Sequence, residues 1–212
     1  MKTYQPAEIR NFAIVGHASS GKTMLSEAML MCGGVISRMG RIADGSTVSD
    51  YHVSEKNRQI SVSASLLHTE WMGKKLNIID TPGYLDFISE GLGALRVGDF
   101  ALVVVHAQHG LGVGTERAWH YATGYGIPKM IVVNAMDKEN VDFDAVIRQL
   151  QERFGRHVFP LSLPVNPGPG FNRVLDVLRN KIATYATDYS GKYREEPASA
   201  EWEAKVKELH GQ

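Results

Sequence analysis

The sequence predicts an α/β fold: a mainly parallel sheet with one antiparallel edge strand, helices on both faces, and the start of an additional subdomain. Three observations carry this. Short apolar runs rich in β-branched residues alternate with stretches at helical spacing, a pattern that gives parallel strands buried on both faces. Glycine-rich turns separate them. One pair of runs is joined by a turn too short for a crossover, so that pair must be antiparallel.

The elements follow in order. Phe12 to Val15 is the first strand; it breaks at Gly16, and after Gly21 a helix runs through Leu25, Ala28 and Met29. Residues 33–58, rich in Gly, Ser, Asp and Arg and without a sustained period, read as a long mobile loop. Ile60, Val62 and Ala64 alternate with serines as a half-exposed strand. Gly73 marks a turn, and Leu76, Ile78 and Ile79 form the returning strand. Phe100 to Val105 and Met130 to Val133 are further strands, with helical patterns over 85–97, 113–124 and 141–153. After Pro160 the texture changes. Pro164, Pro167, Gly168, Pro169 and Gly170 form a loop, a helix is expected over Asn172 to Tyr185, and Trp202, Val206 and Leu209 place a last helix over Ser199 to His210.

Composition narrows the setting. At 212 residues, 43% hydrophobic and 22% charged, the chain is long enough to bury its own core, which excludes a disordered or disulfide-stapled protein. Cys32 is the sole cysteine, in keeping with a reducing, cytoplasmic compartment. Twenty-three Lys and Arg against twenty-three Asp and Glu give no electrostatic case for sequence-specific DNA or an anionic membrane as the main partner. The longest apolar run, around Phe100 to Val105, falls far short of the roughly 20 residues that span a bilayer. His106 and His109 are close in sequence but lack a third ligand nearby, so they read as loop residues rather than a zinc site.

Three motifs carry chemistry. Gly16-His17-Ala18-Ser19-Ser20-Gly21-Lys22-Thr23 has the spacing of a phosphate-binding loop between a strand and a helix, so the chain is expected to be a P-loop NTPase. Such glycines let successive backbone N–H groups turn inward on a phosphate, and the helix adds its positive end. Lys22 would reach the β and γ oxygens, and the Thr23 hydroxyl would ligate Mg²⁺, a hard cation that takes oxygen donors. Asp80-Thr81-Pro82-Gly83 follows an apolar strand, placing a second Mg²⁺-holding carboxylate beside that loop. Gly83 permits a backbone N–H to approach a γ-phosphate and the segment to swing when it leaves. Asn134-Ala135-Met136-Asp137 follows the next parallel strand. The Asp137 carboxylate can accept both adjacent donors of guanine and would repel the ring acceptor of adenine, which argues against an ATPase; Asn134 would tie this loop to the phosphate loop.

Taken together, these motifs resemble the G domain of translational GTPases, most closely the elongation factor G family and its paralogs. Thr47, Asp50, Tyr51, Glu55, Arg58, Ile60 and Ser61 look like that family's first switch, and Asp80 through Phe87 is similar to its second. Thr115 to Trp119 resembles a helix of the same domain, and Leu163 to Phe171 with Leu175-Asp176 looks like the entry to the inserted G-prime subdomain. The resemblance implies a GTP-binding core over 1–160 and an incomplete G-prime-like subdomain over 161–212. It further implies GTP and GDP as ligands, Mg²⁺ held by Thr23, Ser61 and Asp80, hydrolysis assisted by Lys22, the Gly83 N–H and Tyr84, and the ribosome as activating partner. Because the chain stops at Gln212, inside what would be the insertion, a piece of a longer factor is expected.

Three departures from the family pattern stand out. Tyr84 occupies the place of the histidine that positions the attacking water, which predicts slow or differently organised hydrolysis and leaves a GTP-binding regulator with little turnover as the alternative. Ala135 replaces a lysine that covers the purine, which predicts weaker affinity. Ser61 replaces threonine and keeps the hydroxyl. Arg58 is the nearest arginine to the site, equally suited to a loop ion pair.

Overall fold

The computed structural model describes residues 2–188 and 190–210. They fall into two compact units, Met1–Asn134 and Ala135–Gln212. The first contains strand β1 (Ile9–Gly16), helix α1 (Lys22–Cys32), the short α2 (Val53–Arg58), strands β2 (Ser65–Trp71) and β3 (Lys74–Asp80), helix α3 (Ile88–Val97), β4 (Phe100–His106), α4 (Val113–Gly124) and β5 (Lys129–Asn134). These strands form one sheet in the order β2-β3-β1-β4-β5, parallel except for β2. The mixed, mainly parallel sheet with an antiparallel edge is the architecture expected from the sequence.

Both faces of this sheet are covered. Phe12 and Ile14 point into a core with Leu30 of α1, Leu67, Ile78, Leu102 and Val104. Ala13 and Val15 alternate onto the other face, where Ala94 and Leu95 of α3, Ala122 of α4, Ala101 and Val103 complete a second core. Burial on two sides explains why these strands read as unbroken apolar runs instead of alternating ones. The β2–β3 hairpin turns over Met72 and Gly73, both at positive φ (47° and 75°), in the two-residue geometry whose twist suits adjoining strands.

The expected strand over Ile60 to Ala64 is not formed; the strand begins at Ser65. The backbone N–H groups of Val62, Ser63 and Ala64 donate to the carboxylates of Glu55 and Glu90 instead of to a ladder. Residues 33–58 are also less irregular than expected, holding a 3₁₀ turn at Ile42–Asp44 and helix α2. The helix expected from residue 85 starts with a 3₁₀ turn, Leu85–Phe87, before α3.

The second unit holds α5 (Phe143–Phe154), four strands β6 (Ser162–Pro164), β7 (Arg173–Asp176), β8 (Lys181–Tyr185) and β9 (Tyr193–Pro197), and α6 (Ala200–His210). The strands make an antiparallel meander in chain order. The helix expected over Asn172 to Tyr185 is therefore corrected to a β7–β8 hairpin. Its apolar residues lie at spacings that also fit a helix, but Asp176 Oδ1 accepts the N–H groups of Leu178 and Arg179 at 3.0 Å each, and Asn180 adopts φ 52°. That Asx turn and left-handed asparagine close a tight reversal. Trp202, Val206 and Leu209 of α6 pack with Leu163, Leu175, Val177 and Ile182, as their spacing predicted. Among the described residues no helix is long and apolar enough to cross a membrane.

Candidate nucleotide site

The parallel register builds the site. Ile14 pairs with Asp80, Gly16 with Val104 and His106 with Asn134, so the carboxyl ends of β3, β1, β4 and β5 stand in a row. Ligands of open α/β sheets bind beyond this edge. Here the chain leaves β1 into the 16–23 loop. Gly16 (φ 143°) lies so close to β4 that any Cβ would run into the Val104 carbonyl. Ser19 (φ 59°) and Gly21 (φ 90°) are also at positive φ. Inverted conformations of this kind turn successive N–H groups to one side, making an anion-binding concavity at the start of α1.

The loop is fastened from several directions. Lys22 Nζ donates to the carbonyls of Gly16 (3.2 Å) and His17 (2.9 Å). Asn134 Nδ2 donates to Ser20 O at 3.0 Å, and a Cβ on Gly21 would collide with that amide. The His17 N–H donates to Thr115 Oγ1, and its Nδ1 accepts from Gly114 N–H, both at 3.3 Å. Gly112 and Gly114 leave room for the ring, since a Cβ on either would press against His17. This attachment to the start of α4 was not foreseen; the signal for it was the Gly112-x-Gly114-Thr115 sequence itself.

Lys22, Thr23 and Asp80 are buried. Burial pulls the Lys22 ammonium down to about 8, against the opposing pull of Asp80 and Asp50. Burial likewise pushes Asp80 up to about 6, moderated by the nearby hydroxyls of Ser49 and Thr23 and by Lys22. Those hydroxyls lie outside hydrogen-bonding geometry, and neither carboxylate oxygen of Asp80 has a partner. Thr23 Oγ1 and Ser61 Oγ, from segments 38 residues apart, meet at 3.2 Å.

Asp50, which the sequence marks only among the residues resembling a first switch, is a second buried carboxyl here. Its Oδ2 is unpartnered, and burial raises its pKa, helped by Glu55 and Glu27 and opposed by Ser61 and Lys22. Ser20, Thr47 and Ser49 also bury hydroxyls without partners. Buried polar atoms are nearly always satisfied, so the unpartnered oxygens of Asp80 and Asp50 beside Lys22 suit a ligand from outside the chain. Carboxylate and hydroxyl oxygens beside one ammonium and inward amides suit a hard divalent cation with an anionic phosphate. The residues thus fit the Mg²⁺-phosphate group their motif implies.

Gly83 lies directly over the loop: a Cβ there would stand 2.6 Å from Ala18 N and abut Lys22 Nζ. Thr81 Oγ1 donates to Ile14 O at 2.7 Å, tying the segment's root to β1. Tyr84 is 43% exposed. Arg58 ends α2 in an exposed position. Asp137 belongs to the second unit, where it is exposed and pairs with Lys138 at 3.3 Å; Ala135 is at φ 62°. The rings of His106 and His109 stack 4.3 Å apart, and among the described residues no group of three potential metal ligands of the His, Cys, Asp or Glu type occurs.

A mainly parallel sheet with this loop, carboxylate and lysine defines a P-loop GTPase fold. The chain belongs to the elongation factor Tu GTP binding domain family, whose model matches residues 7–209. Among its relatives, elongation factor G of Mycoplasma pneumoniae is 34% identical over 208 residues, covering 98% of this chain and 30% of that protein. Elongation factor G 2 of Syntrophus aciditrophicus is 35% identical over 203 residues, covering 94% and 30%. A crystal structure of a Thermus thermophilus protein superposes with a TM-score of 0.88 at 36% identity, covering 97% of this chain and 30% of that one. The chain is thus a translational GTPase G domain related to elongation factor G, and it spans under a third of the length of these relatives.

Proposed function

We propose that the chain binds GTP and GDP with Mg²⁺, hydrolyses GTP to GDP and phosphate, and serves as the GTP-driven module of an elongation factor G-like translation factor acting on the ribosome in the cytoplasm. Residues 1–160 would form the nucleotide-binding core and 161–212 the start of the G-prime-like subdomain. The observation that carries this reading is the buried Asp80 carboxylate, without a partner, beside Lys22 and the Thr23–Ser61 hydroxyl pair at the mouth of the phosphate loop.

Each residue has a definable part. In the 16–21 loop the N–H of His17 is held by Thr115 Oγ1 and that of Ser20 by the His17 carbonyl, so Ala18, Ser19 and Gly21 would supply the amides that cradle the phosphates, with Gly16, His17 and Ser20 shaping the loop, and Lys22 would place its charge against the β and γ oxygens. Thr23, Ser61 and Asp80 would hold Mg²⁺, which when bound neutralises phosphate charge. Gly83 offers its N–H to the γ-phosphate, and Asp137 with Asn134 selects guanine. In hydrolysis a water oxygen bonds to the γ-phosphorus, the bond to the β–γ bridging oxygen breaks with its electron pair remaining on GDP, and of the two water protons one stays on inorganic phosphate and one passes to solvent. Catalysis is then positioning and charge stabilisation. Calorimetric titration with GTP, GDP and ATP, with and without Mg²⁺, tests the binding; equal affinity for ATP would overturn it.

Tyr84, standing where the family resemblance places a water-positioning histidine, supports a second reading, a GTP-binding regulator with little turnover. Single-turnover phosphate release with ribosomes, compared for wild type and Tyr84→His, separates the two. Faster release in the variant assigns the tyrosine a restraining role; equal, rapid release removes the second reading.

A further inference from the structure

The segment over residues 40–64, which contains the switch-like residues Thr47 to Ser61, carries Ser61 to Thr23 and is mostly irregular. What fixes it is a set of carboxylates on helices. Glu27, on α1 one turn beyond Thr23, is fully buried; its Oε2 accepts Gly40 N–H at 2.7 Å and its Oε1 accepts Val48 N–H at 2.6 Å. Glu55, on α2, is 1% exposed; its Oε1 accepts the N–H groups of Val62 (3.0 Å) and Ser63 (3.1 Å), and its Oε2 accepts that of His52 (3.1 Å). Glu90, on α3 and half-buried, accepts Ala64 N–H at 2.8 Å.

These are charge-assisted bonds to backbone, the stronger kind, made in places closed to water. A buried carboxylate without a cationic partner is costly unless its oxygens are satisfied by donors. Glu27 therefore stabilises the closed loop, and an open loop would strand its charge. The bonds of Glu55 bracket Ser61: residues 62 and 63 are gripped immediately after it, and the Glu55 helix ends at Arg58 just before it.

We propose that Glu27 and Glu55 are positioning residues that hold the first switch so that the Ser61 hydroxyl stands at Thr23, making the GTP-competent arrangement of the loop a property of two buried carboxylates. Glu90 reinforces the loop's exit into β2. This inference rests on the guanine-nucleotide reading above for its ligand and on the hydrogen bonds for its mechanism.

The test uses Glu27→Gln and Glu55→Gln, with Glu90→Gln as the control. At Glu27 and Glu55 glutamine keeps the shape but turns an N–H₂ toward one backbone donor, which removes a bond and opposes two donors. Amide hydrogen exchange of the nucleotide-free chain is expected to accelerate by about tenfold at Gly40 and Val48 in Glu27→Gln, and at Val62 and Ser63 in Glu55→Gln, with β1 and β4 amides unchanged. Affinity for a non-hydrolysable GTP analogue with Mg²⁺ is expected to fall by about tenfold while that for GDP changes by less than about threefold.

Unchanged exchange at those amides, or equal weakening of both nucleotides, would overturn the proposal, because a merely structural role lowers both together. Should a glutamine variant not fold, Glu27→Asp or Glu55→Asp, whose shorter carboxylate keeps the charge but draws back from the loop, must still accelerate exchange at the same amides; Glu90→Gln, whose amide oxygen can keep the single bond to Ala64, is the control expected to leave Ala64 unchanged. A wild type that binds no guanine nucleotide would instead defeat the functional reading, and the exchange data would decide the carboxylate grip by themselves.

Discussion

The two units handle charge in opposite ways. In the first, Lys22, Asp50 and Asp80 are buried around the phosphate loop, shifted from their ordinary pKa values, and three carboxylate oxygens among them lack partners. In the second, Glu195 on β9 takes Arg179 at 2.7 Å and Lys181 at 3.2 Å, and Arg173 meets Glu196 at 2.7 Å, all on the surface of the antiparallel sheet. Both sets combine acidic with basic side chains. Water is what differs: exposed pairs are screened and interchangeable, whereas a buried charge without its counterpart destabilises the fold until a ligand supplies one.

The largest effect is expected from Asp80→Asn. It should lower Mg²⁺-dependent nucleotide affinity by about a hundredfold, the size of a lost charge-assisted contact. In Mg²⁺-free buffer at pH 7 it should make the chain more stable by about 2 kcal/mol, read by urea unfolding. The folded Asp80 titrates near 6 and its unfolded form near 3.8, so the stability it contributes is present below 3.8 and lost as pH rises through 6. The variant's advantage should accordingly vanish below about pH 4. A variant less stable than wild type at pH 7 would show that the carboxylate is already satisfied.

Next in size is the pH dependence of binding. Without a bound anion, Lys22 loses its proton near pH 8, well below an ordinary lysine. GTP affinity measured from about pH 7 to about pH 9.5 is expected to fall as pH rises through 8, and a flat profile would contradict the burial of that ammonium. The smallest effect belongs to the surface: Glu195→Gln should leave the melting temperature indistinguishable from wild type, because exposed pairs add little. A clear loss of stability there would erase the distinction between the units.

The sheet and the phosphate loop were legible because each depends on local signals: apolar runs for doubly covered strands, and glycines at fixed spacing for the turn. The meeting of Thr23 with Ser61 followed only from family resemblance, since no local pattern reports a contact across 38 residues. Two failures have a common origin. Ile60 to Ala64 alternates as a strand should, and Asn172 to Tyr185 has apolar residues where a helix would, but side-chain acceptors took the backbone donors in both. Glu55 and Glu90 prevented a ladder, and Asp176 enforced a turn. Periodicity records which face is apolar; it is silent about a carboxylate that displaces the regular hydrogen-bond pattern. The same blindness hid the burial of Asp50 and the fastening of His17 by Gly114 and Thr115.

The bond from the Thr81 hydroxyl to the Ile14 carbonyl anchors the root of the Asp80-Thr81-Pro82-Gly83 segment to β1, while Gly83 at its far end rests against the phosphate loop. Asp80 sits on the anchored side, Gly83 on the other. On the proposed reading, departure of a phosphate would release the glycine end while the seat proposed for the cation stayed in place, so the next nucleotide would meet a half-built socket rather than a collapsed one.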